Sequence, residues 1–307
     1  MTRNKMLPSG FYDLIFDEAK KDFFIRNDLM RNLIDDGFQI VNTPVLEYRE
    51  NFNEQDLTNS FFTVDAKSGK NLVLRNDITP QISRLLESRL SQVEFPVKIC
   101  YQGDVFVTKN DELYSDRQIS QVGFEIIEGS EEDELVAIRK SLELINKTSG
   151  VQFYFEISLP NLLEDVISSI DNINKKEVRS AIISKNVSQI RRLLDPATAD
   201  AICEMILNLN DINVIIANLH FFEGNVKISS RVNKLMEINN FVNRNFGNFK
   251  IINDILGQTS NSYYSNISFK VYAEDYSYPV LKGGDYLIGD KKAIGATFYV
   301  NHIRNIT

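Results

Sequence analysis

Tryptophan is absent and histidine nearly so, with only His220 and His302 among 307 residues. Two cysteines, Cys100 and Cys203, each stand in an apolar segment. There they read as small buried side chains, not as a disulfide or half of a zinc site. No apolar stretch approaches the ~20 residues needed to cross a bilayer, and the opening "MTRNKMLPSG" lacks the apolar middle of a secretory signal. The cytoplasm is the expected setting, with no membrane partner. Positive charge is in short supply: 34 Lys and Arg against 42 Asp and Glu leave a net charge of −8. That balance argues against a nucleic-acid partner held over a broad surface, which needs clustered cations. The strongest catalytic signatures are missing as well. There is no G-x-x-x-x-G-K-[ST] loop, no dinucleotide fingerprint and no G-x-S-x-G elbow. The expectation is no cofactor, no metal and no acyl-transfer hydrolysis. His220, inside "ANLHFFEG", reads as structural.

What remains is the composition of an ordinary globular protein, 43% hydrophobic and 25% charged, long enough for one large or two modest domains. The segment from Asp17 to Asp36 predicts a helix with Ala19, Phe23, Met30, Leu33 and Ile34 on one side and Gly37 as its stop. "FQIVNTPVLEY" is an extended run in which Pro44 suits an edge, a bend or an interface. "FFTVDAKSGKNLVLRND" predicts two strands around an "AKSGK" turn. "TPQISRLLESRL" predicts a helix with Thr79 as N-cap, Pro80 first in the helix, and Ile82, Leu85, Leu86 and Leu90 as its buried stripe. "VKICYQGDVFVT" and "RQISQVGFEIIEG" form a long antiparallel hairpin around "KNDELYSD". Ser130 then caps a helix carrying Leu135, Ile138, Leu142 and Ile145, closed by Gly150, and "VQFYFEISL" is a further strand.

From about Pro160 to Phe246 short helices replace strands. One has a clear start, with Asp195 as cap and Pro196 in first position. Strands return in "YYSNISFKVYAED", "YPVLKGGDYLIG" and "AIGATFYVNHI". The pattern is α+β: an antiparallel sheet flanked by helices, its core from residues 1–159 plus 247–307, with 160–246 as a helical insertion.

The strand "RQISQVGFEII" carries the most pointed signal. Alternation puts Val122, Phe124 and Ile126 on one face and Gln121, Gly123 and Glu125 on the other. A missing side chain between two polar ones leaves a hollow lined by acceptors. Two polar groups on a central strand cost free energy unless something satisfies them, which favours a site.

In order, "GFQIVNTP", "LRNDITPQISR", the Val97–Ile127 hairpin and "AIGATFYVNHI" resemble motif 1, the amino-acid-binding loop, motif 2 and motif 3 of the histidyl branch of class II aminoacyl-tRNA synthetases. "LRNDITPQ" and "RQISQVGFEII" together are most similar to a paralogous family, the regulatory subunits of ATP phosphoribosyltransferase. The resemblance implies a class II synthetase-like fold without an anticodon-binding domain. It also implies a dimer formed through the Pro44 region and a short-form catalytic subunit as partner. In that family the subunit activates its partner and makes it sensitive to free histidine, in the first step of histidine biosynthesis.

On the same resemblance, Asp77, Thr79, Arg117, Gln121, Glu125, Tyr263 and Tyr264 fall at histidine-binding positions. The synthetase's phosphate-gripping and carboxylate-gripping arginines are replaced, by Val107 in motif 2, His302 in motif 3, Thr259 before the tyrosine pair and Asp285 in "GGDYLIG". Preorganised cationic donors are typically worth ~3 kcal/mol each on a transferring phosphoryl group, so these losses imply a chain that does not adenylate. The residues alone leave plainer roles open: Thr79 as a cap, Asn76 and Asp77 as turn residues, Tyr263 and Tyr264 as strand aromatics, "LKGGDY" as a turn. Two alternative functions are a truncated ligase that still forms an aminoacyl adenylate and a stand-alone histidine-binding module.

Overall fold

Helix α1 (Phe16–Asp35) carries Asp17 and Glu18 in its first turn, at the positive end of the helix dipole. Its buried side is Asp22, Ile25, Leu29, Met30 and Leu33, whereas Phe23 and Ile34 are exposed. Ile25, Leu29 and Leu33 make this side apolar at four-residue spacing, a stripe offset from the one expected through Ala19, Phe23 and Ile34, and ion pairs from Arg26 (2.6 Å) and Arg304 (2.9 Å) hold Asp22 beside it. The structure is a computed structural model and describes residues 6–52, 57–90, 92–108, 116–130, 132–148, 150–171, 173–222, 226–256 and 264–307.

After α1 come β1 (Gln39–Ile40), β2 (Leu46–Tyr48), β3 (Phe61–Val64), β4 (Asn71–Leu74), α2 (Thr79–Ser88), β5 (Val97–Phe106), β6 (Gln118–Ile127) and α3 (Glu132–Thr148). Next are β7 (Phe153–Ser158), α4 (Leu162–Ser168), α5 (Lys175–Ile183), α6 (Val187–Leu193), α7 (Pro196–Leu207), α8 (Ile212–Leu219) and α9 (Val226–Asn245). The chain finishes with β8 (Phe249–Asn253), β9 (Tyr264–Ala273), β10 (Pro279–Ile288), β11 (Lys291–Tyr299) and α10 (Val300–Ile306). Strand order in the large sheet is β1-β5-β6-β11-β10-β9-β7-β8, and β2-β4-β3 make a small second sheet. The pairs β5/β6, β6/β11 and β7/β9 are antiparallel, while the edge pairs β1/β5 and β7/β8 are parallel, so the sheet is mixed. The strand expected over "AIGATFYVNHI" stops at Tyr299, and α10 follows. Asn301 there accepts from the Ser120 amide at 2.8 Å and donates to Asp116 at 2.7 Å, contacts that local β-propensity cannot report.

The described residues form two units. The first takes those within 1–150, 276–281 and 288–307, the second those within 151–275 and 282–287. In the first, α1 and α10 pack on the β5–β6 hairpin and α3 on β11. Strand β6 is buried from Ile119 to Ile127, so both its faces are covered. Phe124 meets Phe38 edge-on at 5.2 Å on one face, the geometry aromatic quadrupoles favour. Asp104 on that face is held by Arg26 (3.0 Å), Ser120 (2.8 Å) and Gln118 (2.9 Å). Burial pushes its carboxyl up, but these partners outweigh burial and keep it below the ordinary range.

In the second unit Phe153 stacks on Phe249 at 5.1 Å, and Asn239 donates to Asn253 at 2.8 Å, pairing two buried amides. Helix α7 starts as the sequence predicts: Asp195 Oδ1 accepts from the Ala197 and Thr198 amides at 3.1 Å each. Asp195→Ala is expected to lower the denaturant midpoint at constant slope, and Asp195→Asn should recover most of the loss.

Candidate ligand pocket

One face of β5, β6 and β11 carries Gln121, Gly123 and Glu125, three of the residues that the sequence singles out. The register sets Gly103 opposite Gln121, Tyr101 opposite Gly123 and Ile99 opposite Glu125 on one flank of β6. On the other flank Tyr299, Thr297 and Gly295 face the same three residues of β6. Three long side chains lie flat over three glycines: the Tyr101 ring over Gly123, the Glu125 carboxylate over Gly295 and the Arg75 guanidinium over Gly103. A Cβ at any of these glycines would overlap the group above it, so the close approach requires glycine. The space that the sequence leaves beside Gly123 is therefore occupied by a phenol from the paired strand.

That phenol is 1% exposed, and Gln121 and Glu125 are 1% and 2% exposed. Tyr101 Oη donates to Glu125 Oε1 at 3.3 Å and shares a 3.1 Å hydrogen bond with Thr297 Oγ1. Burial raises the Tyr101 hydroxyl well above its ordinary range, and the Glu125 and Asp77 charges raise it further against opposing hydrogen bonds from Thr297 and Thr79. The phenol is therefore a neutral donor at physiological pH. Asp77, Thr79 and Glu125 thus converge around one hydroxyl, and Gln121 lies one rung along the same strand face. Gln121 Oε1 is buried and has no hydrogen-bond partner among the described residues. A buried amide oxygen left bare costs free energy unless a ligand or water supplies a donor, and this one faces the glycine-floored side of the sheet.

Thr79 is not the N-cap of α2. It is the first helical residue, the cap position is Ile78, and Pro80 follows in the first turn. The Asp77 carboxylate accepts from the Ile78 amide at 2.8 Å and so orders the approach to the helix. Behind this loop Gln81 and Glu47 are buried. Gln81 donates to Glu47 and to Pro44 O at 2.7 Å and accepts from Thr43, while Arg84 meets Glu47 through two 2.8 Å contacts. Arg75 donates to Asp104 O (2.7 Å), Thr43 O (2.9 Å) and Thr43 Oγ1 (3.0 Å). Burial lowers its ordinarily very high pKa, a shift that Asp104 and Glu47 oppose.

Arg117 stands elsewhere. Its guanidinium lies over the Phe61 and Phe11 rings at 4.8 and 5.5 Å and donates to Val107 O and Ser9 O at 3.3 Å. Val107 is buried. His302 is fully buried among Tyr276, Tyr278 and Tyr299, with Nδ1 2.7 Å from Pro279 O. In the second unit Asp285 accepts from the Asn266 and Ile267 amides at 2.8 and 2.6 Å, bracing β9 against β10. Tyr264 lies over Gly284, with Lys282 Nζ 5.3 Å from its ring centroid. Thr259 and Tyr263 lie outside the described residues.

Burial lowers the His302 pKa, and the Pro279 carbonyl and Asp116 offset this only in part. A buried neutral imidazole must charge in acid, so its contribution is present above the ordinary value of about 6.5 and is lost as pH falls below it. The thermal midpoint should drop as pH falls below about 6.5, and His302→Asn should flatten that drop. Equal acid sensitivity in both chains would remove His302 as the cause.

Sequence reasoning missed Tyr101, Thr297 and Arg75. Tyr101 and Thr297 are found only through strand register, because each reaches the pocket by facing Gly123. Arg75 sits inside "LRND", but nothing local says that its side chain crosses to Gly103.

The chain belongs to the histidyl-tRNA synthetase family, whose description matches residues 10–303, and it has that family's class II fold. Within that family the more particular likeness is to regulatory subunits. The chain is 28% identical to an ATP phosphoribosyltransferase regulatory subunit of Alkaliphilus metalliredigens, over 91% of this chain and 74% of that one. It is 26% identical to the one of Streptococcus gordonii, over 91% and 85%. A Bacillus halodurans structure described as ATP phosphoribosyltransferase regulatory subunit/histidyl-tRNA synthetase superposes with a TM-score of 0.80 at 18% identity, over 100% of this chain and 84% of that one. The ATP phosphoribosyl transferase (HisG:HisZ) complex of Thermotoga maritima gives 0.70 at 20% identity, over 93% and 98%.

Proposed function

We propose that this chain is a non-catalytic regulatory subunit of a hetero-oligomeric ATP phosphoribosyltransferase. It activates a short catalytic subunit and makes it responsive to free histidine bound on the β5–β6–β11 face. The observation that carries the non-catalytic part is the state of two positions where the resemblance puts phosphate-gripping arginines. Val107 is buried, and His302 is sealed inside three tyrosines with its Nδ1 committed to a carbonyl. Neither offers a cation to a triphosphate. The relatives' names support the regulatory role, and the unpartnered Gln121 oxygen beside Glu125 supports a donor-rich ligand. A dimer through the Pro44 region is consistent with the exposed apolar residues Ile40, Val45, Leu46 and Tyr48 nearby.

The deciding experiment mixes this chain with a short-form catalytic subunit and follows phosphoribosyl transfer with and without histidine. The mixture should turn over faster than the catalytic chain alone and slow when histidine is added. A coupling of ~1–3 kcal/mol is enough for that response. Gln121→Ala with Glu125→Ala should raise the histidine needed for inhibition at least tenfold without dissolving the complex, checked by gel filtration. No complex and no acceleration would end this reading. Histidine-dependent pyrophosphate–ATP exchange by the pure chain would favour the truncated ligase instead.

A further inference from the structure

The pocket face has an anion-seeking end as well as a donor-seeking one. Glu125 and Tyr101 lie toward Gly295 and Gly123, while the Arg75 guanidinium covers Gly103, directly opposite Gln121. Arg75 has Nε and Nη1 fixed by Asp104 O and Thr43, but Nη2 makes no hydrogen bond among the described residues. It is Nη2 that lies closest over Gly103. A guanidinium so pinned is already ordered, so little side-chain entropy remains to be lost when its last donors meet an acceptor. Gln121 pairs with Gly103 and precedes Glu125 by four residues on the same strand face, and its Oε1 is bare of partners among the described residues.

We propose that Arg75 Nη2 is the anchor for the carboxylate of a zwitterionic amino-acid ligand, taking over the work of the arginine that Thr259 replaces. This rests on the reading that the face binds free histidine. The ligand's donor groups then lie toward Gln121 Oε1 and the Glu125 carboxylate, and its acid group toward Arg75. The gap at Gly103 makes this possible, since any larger residue there would lift the guanidinium away. Charge-assisted contacts of this kind are the strong ones, and losing one corresponds to about tenfold or more in affinity.

The test varies the ligand before it varies the protein. Calorimetry on the full wild-type chain compares histidine with histidine methyl ester and histamine, which keep the imidazole and amine but lack the carboxylate. Histidine should bind at least about tenfold tighter than either. In Arg75→Gln the three ligands should bind alike, with the loss confined to histidine. If wild-type chain binds histidine and its ester equally, Arg75 is not the anchor, although the pocket assignment stands. If the preference for histidine persists in Arg75→Gln, another residue holds the carboxylate and the inference fails. If histidine does not bind the wild type at all, the pocket reading falls and takes the inference with it. Should Arg75→Gln not fold, Gly103→Ala, whose Cβ displaces the guanidinium, takes its place, and a preference for histidine that persists there overturns the inference equally.

Discussion

Gly295→Ala is expected to lose about 3 kcal/mol of stability, although glycine-to-alanine inside a strand ordinarily stabilises by ~0.5–1 kcal/mol. The sign reverses because a Cβ at Gly295 would overlap both the Glu125 carboxylate and the Phe124 carbonyl oxygen. A side chain can swing away, but a backbone oxygen in a paired strand cannot. The strands must separate or Glu125 must leave its place beside the Tyr101 hydroxyl. The measurement is a urea titration, with the midpoint falling and the slope constant. A loss under ~1 kcal/mol would mean that the sheet yields far more readily than its register suggests. Histidine response should fail in the same variant, because the carboxylate is displaced.

The second large effect belongs to Glu47. This buried carboxylate takes both nitrogens of the Arg84 fork and the Gln81 amide. Removing one partner of such a set leaves the others desolvated and unpaired, at a typical cost of ~3–5 kcal/mol. Arg84 is partly exposed and can recover water, so the lower figure, about 3 kcal/mol, is expected for Glu47→Ala. Arg84→Ala alone should cost less, and the double variant little more than Glu47→Ala, giving a coupling above ~1 kcal/mol. Strict additivity would show that Glu47 and Arg84 do not act as a unit. Because the same segment carries Thr43 and Pro44, the loss should extend to the position of Arg75.

Several elements were legible from local chemistry. The Asp195–Pro196 start of α7, the turn between β3 and β4, and the hairpin of β5 and β6 stand where capping residues, turn residues and alternation put them. The elements misread were those where a tertiary partner outweighs local preference. Thr79 satisfies the motif of a cap yet lies within the helix, its hydroxyl directed to Tyr101. Arg117, on the same side of the chain by alternation as Gln121, is drawn off by two aromatic rings and two carbonyls.

The order of residues by itself determined the class of fold and the polar pair on one strand face. These follow from residue type and short spacing, which act through the nearest few positions. Only the tertiary structure decided what fills the space beside Gly123, where the Arg75 charge comes to rest, and that His302 is walled off from any ligand. Each depends on the pairing of strands or helices distant in sequence, and a one-residue change of register would have sent every such side chain to the opposite face.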